Sequence, residues 1–157
     1  MKKFSFKLQK LLELREARER EVHNELAALL GIQNRERMKQ EEYRRRIERE
    51  QEKFTATLKE GRFTYMESVM FERFVDFAGK VIISAQERID GMEEEIGRVR
   101  TRLVEASRER KVVERLRERR YEEYLYELNR EIAKENDDVN QKIYIRKQIH
   151  QAGGDNA

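Results

Sequence analysis

The sequence predicts an all-α protein, a long antiparallel two-helix coiled coil with a short helical cap at the turn. Three observations carry this. The 157 residues contain no proline, so nothing in the chain forbids continuous helix. Apolar residues recur at alternating steps of three and four through Ile82, Ala85, Ile89, Met92, Ile96, Val99, Leu103, Ala106, Arg110 and Val113, with Arg110 the one charged position. At about 3.6 residues per turn that spacing makes a narrow stripe suited to one partner helix. Finally, 43% of residues are charged and 38% hydrophobic, too lean for a thick core. Disorder is the competing reading, but the net charge is only +3 and the periodicity is strict.

The elements follow in order. Ser5 stands where a helix N-cap would, so helix one is placed at about residues 5–59. Its seam runs Leu8, Leu12, Arg15, Glu19, Val22, Leu26, Leu29, Gln33, Glu36, Gln40, Tyr43, Ile47, Glu50 and Phe54. Arg15 and Glu19 would set register, and Gln33 to Gln40 would leave a loosely packed window. Gly61 after Lys59-Glu60 is a helix stop. Residues 60–78 then form the cap: Thr64 and Glu67 make a capping box, and Phe71, Phe74 and Phe77 either plug the coil or offer a docking surface. Helix two is placed at about 79–148, with a stop at Gly153-Gly154 and a disordered tail over 150–157. All of this reads as a single coiled-coil domain spanning 1–157.

A fold-back at that cap would bring Phe54 near Ala85, Leu8 near Ile132 and Glu19 near Arg120. Helix one would be on the order of 80 Å long at about 1.5 Å per residue, a rod. After Arg110 the seam resumes only at Tyr121, followed by Leu125, Leu128, Ile132, Glu135 and Val139. An eleven-residue step is a stutter that locally unwinds the supercoil. Residues from Ala133 on, with Ile143, Ile145 and Ile149, would overhang without an N-terminal partner.

Chemistry is expected to be absent. There is no cysteine, hence no disulfide or thiolate metal site, and a reducing cytosol fits. No apolar run suits a signal peptide or a membrane span. His23 and His150 lack metal-ligand spacing, and the glycines make no phosphate loop, so neither cofactor nor metal is expected. A two-helix rod has no pocket for catalysis, so the chain reads as no enzyme. The pI of about 9.1 reflects 35 Lys and Arg against 32 Asp and Glu. Arg44-Arg45-Arg46 and Arg115 to Arg120 are interleaved or flanked with Glu and read as solvated faces, not as a nucleic-acid site.

The opening Phe4-x-Phe6-x-Leu8-Gln9-x-Leu11-Leu12-x-Leu14-Arg15 resembles the start of the FliJ family, coiled-coil components of the bacterial flagellar protein export apparatus. The stretch Arg110-Lys111-Val112-Val113-Glu114-Arg115-Leu116-Arg117-Glu118-Arg119 resembles that family's basic segment, and Asp137-Asp138 its acidic pair. The resemblance implies a non-catalytic monomer, shaped like the central stalk of rotary ATPases, acting in flagellum biogenesis, motility and chemotaxis. It also implies three partners: the hexameric export ATPase, the membrane export gate protein and the export chaperones. The protein would be cytoplasmic and peripheral at the membrane through that apparatus. Under this resemblance Arg115, Arg117, Arg119 and Arg120 would face carboxylates of the ATPase ring, and Tyr43, Ile47, Phe54 and Phe74 would contact the gate. Two alternatives stay open, a basic coil associated with nucleic acid and a generic intermolecular coiled coil.

Overall fold

The computed structural model describes residues 3–152. Two helices account for nearly all of them, α1 at Gln9–Lys59 and α2 at Tyr65–Ala152, with no strand among the described residues. The chain divides into two compact units, one of Ala17–Ser107 and one made by the two chain ends, Met1–Glu16 with Arg108–Ala157.

In the first unit the helices are antiparallel, as the rising and falling numbers of three pairs show: Glu25 with Arg102, Gln33 with Glu93, and Gln40 with Gln86. The turn follows from local chemistry. Gly61 takes φ +66°, which an L side chain rarely adopts, and its N–H donates to the Leu58 carbonyl at 3.2 Å. The capping box then closes in both directions: the Thr64 N–H donates to Glu67 Oε2 at 3.1 Å, and the Glu67 N–H to Thr64 Oγ1 at 3.3 Å.

Helix two therefore begins at Tyr65, and the expected separate cap is its opening turns. Gly79 interrupts nothing, because an isolated glycine costs only about 1 kcal/mol in a helix and strong seam residues lie on both sides. This moves the register. Phe54 stacks on Phe71, ring centroids 4.6 Å apart, two heptads before the expected Ala85. A shift by whole heptads leaves each seam residue in the seam while changing its partner. Accordingly Ala85, Ile89, Ile96, Val99 and Ala106 are buried as expected, with Val22 buried opposite on α1. The loose window is a further correction. Gln33 and Gln40 are 3% and 4% exposed and hydrogen-bonded across the helices, so the amides fill the seam instead of opening it.

In the chain-end unit, Leu12 and Val113 are buried and Arg15 pairs with Glu109. Helix one starts at Gln9, not Ser5, where the Gln9 N–H donates to the Phe6 carbonyl at 3.1 Å. Residues before it run as a short extension whose Phe4 ring packs on Tyr121 and Tyr124 at 5.1 and 5.5 Å. Leu8 is exposed and does not reach Ile132, and Arg120 pairs with Glu123 of its own helix. The overhang is longer than expected: every residue from Asn129 to Gln151 is exposed. The positions after the stutter have no α1 helix against them, and of these Tyr121, Leu125, Ile132 and Val139 are exposed. His150 to Ala152 are helical, and the rest of the expected tail, with its Gly153-Gly154 stop, lies outside the described residues.

Candidate functional site

A two-helix seam leaves no enclosed interior, so recognition has to use surface. Two stretches are candidates, one in each unit.

Near the turn, a short connection forces the last turns of α1 against the first turns of α2, and large side chains there gather. Phe54 lies between Phe71, stacked at an interplanar angle of 2°, and Phe63, edge-on at 5.5 Å. Tyr43 meets Phe77 edge-on at 6.1 Å, and the Arg46 guanidinium sits 5.2 Å from the Tyr43 ring centroid. An open groove of about 580 Å³ has Phe54, Met66, Met70, Phe71 and Phe74 along it and Glu50, Lys53 and Glu67 among its polar members. Of the four residues expected to face the gate, Phe54 and Phe74 thus share one groove, and Tyr43 and Ile47 lie further along α1, half-buried. Each is partly in the seam and partly open. Phe71 is both a plug against Phe54 and part of the groove, so the two readings of the aromatic segment are not exclusive.

Sequence reasoning missed Met66 and Met70, which are 66% and 63% exposed. The signal was available, since flexible thioether side chains at i, i+4 on an aromatic helix suit an adaptable contact surface.

In the chain-end unit, Arg115, Arg117, Arg119 and Arg120 are all exposed. They do not make one patch: at about 100° per residue Arg115 and Arg119 share a side of α2, whereas Arg117 lies on roughly the opposite side. The overhang beyond them carries Ile132, Val139, Ile143, Ile145 and Ile149, each more than 40% exposed.

Among the described residues, no group of His, Asp or Glu is arranged to hold a metal ion, and no helix is long and apolar enough to cross a membrane.

Compared with known proteins, the chain matches the family model described as Flagellar FliJ protein over residues 4–149. No curated protein and no solved structure matches it. With almost the whole two-helix chain covered by that match, the protein belongs to the FliJ family, non-catalytic components of the flagellar protein export apparatus.

Proposed function

We propose that this protein is a stalk-like adaptor that binds the hexameric export ATPase, promotes its assembly and activity, and links it to the export gate and the export chaperones. The observation that supports this most is the uncovered helix from Asn129 to Gln151, with its repeated isoleucines. Ile132, Val139 and Ile143 recur at steps of seven and four on one side of it, and such exposed apolar side chains cost solubility unless a partner covers them. The ATPase ring is that partner, with Arg115, Arg117, Arg119 and Arg120 steering the approach to carboxylates on it. The gate takes the turn region through Tyr43, Ile47, Phe54 and Phe74. Working as a monomer, the protein is held at the cytoplasmic face of the membrane by the apparatus it serves.

Two assays run side by side test the division of labour. Replacing Arg117, Arg119 and Arg120 by Glu leaves helicity unchanged and weakens ATPase stimulation, most at low ionic strength, where repulsion between the new carboxylates and those of the ring is least screened. Phe74→Ala leaves stimulation intact and impairs gate binding. If the arginine reversals stimulate like the native chain, the ring does not use these charges.

A further inference from the structure

Among the described residues only two polar side chains are buried, Gln33 and Gln40, one heptad apart in the α1 seam. Both are spent on the opposite helix. Gln33 Nε2 donates to Glu93 Oε1 at 2.7 Å, while Gln40 Nε2 donates to Gln86 Oε1 and to the Ile82 carbonyl, each at 3.0 Å. Ion pairs flank them across the same helices: Glu25 with Arg102 at 3.1 Å, Glu36 with Arg88 at 3.2 Å, and Arg37 with Glu93 at 3.9 Å. A polar side chain in a coiled-coil seam gives up apolar burial and specifies register in return.

The charges show which alternatives are being rejected. Sliding α2 by one heptad so that the turn lengthens sets Glu25 against Glu109, Glu36 against Glu95 and Arg37 against Arg100. Sliding the other way sets Glu25 against Glu95 and Gln40 against Gly79, which has no side chain to bond. A two-heptad slide escapes the repulsion, since Glu36 would meet Arg102, but it unwinds the first turns of α2 and breaks the Phe54–Phe71 stack.

We propose that Gln33 and Gln40, with the Glu25–Arg102 and Glu36–Arg88 pairs, form a register lock that holds the chain as a single-register intramolecular hairpin at a cost in stability. The native chain has no cysteine, so Asn24→Cys with Thr101→Cys, both exposed and outside the lock, accept spin labels specifically. With the lock intact, the labels report one narrow distance and light scattering a monomer. Adding Gln33→Leu and Gln40→Leu together with Glu25→Gln and Glu36→Gln removes both parts of the lock and strands no buried side chain, because Glu93 and Gln86 are exposed and the Arg88 and Arg102 side chains are 50% and 54% exposed. That variant melts higher, by on the order of 3 °C or more. It also gains a second, longer distance, since a one-heptad slide moves the helices by about 10 Å along each other, or it forms dimers. An unchanged single distance in a monomer would overturn the proposal, as would a lower melting temperature.

Discussion

Ile96 is 1% exposed in the middle of the α2 seam, and its fate under substitution measures how far the narrow stripe acts as a core. Ile96→Asp would bury an unpaired carboxylate and should cost about 3 to 5 kcal/mol, read as a large drop in the thermal midpoint. A midpoint that barely moves would place Ile96 outside the seam. The surface ion pairs should behave differently. Arg45–Glu41, Arg46–Glu42 and Lys80–Asp76 are i,i+4 pairs in which both side chains are at least 46% exposed, so each contributes roughly 0.3 to 0.5 kcal/mol. At residue scale the sequence was legible wherever periodicity alone decides burial. Gln33 and Gln40 were placed in the seam but read as leaving it loose, because periodicity does not show what stands opposite, and it is Glu93, Gln86 and the Ile82 carbonyl that make their burial tolerable.

At the scale of the elements, the helix stop at Gly61 and the capping box at Thr64 and Glu67 were readable because each rests on adjacent residues. Whether the helix that starts there ends again before Gly79 was not. That depends on tertiary packing, which carries α2 through the aromatic segment by setting Phe71 against Phe54 and Phe77 against Tyr43. Because the error was two whole heptads, the stripe was right and every partner wrong. The candidate site inherits this: Phe54 and Phe74 come together in one groove only in the observed register. Helix α2 should also divide in its dynamics. Backbone amides between Ile82 and Val113, where α1 covers the seam, should exchange orders of magnitude more slowly than those between Asn129 and Gln151, whose helix gains no tertiary packing. Hydrogen exchange with peptide resolution measures this, and equal protection along α2 would mean that the overhang is already covered in the free protein.

For the molecule as a whole, the family match and the pair of long helices describe a helical component of the flagellar protein export apparatus. Under the proposed function, the uncovered C-terminal helix engages the export ATPase. The most direct measurement is ATPase stimulation by the full chain with Ile132, Ile143 and Ile149 all replaced by Gln. These side chains are exposed, and Gln is as good a helix former as Ile, so melting of the hairpin should not change. Stimulation should fall several-fold at protein concentrations where the native chain saturates; stimulation equal to the native chain's would contradict the account.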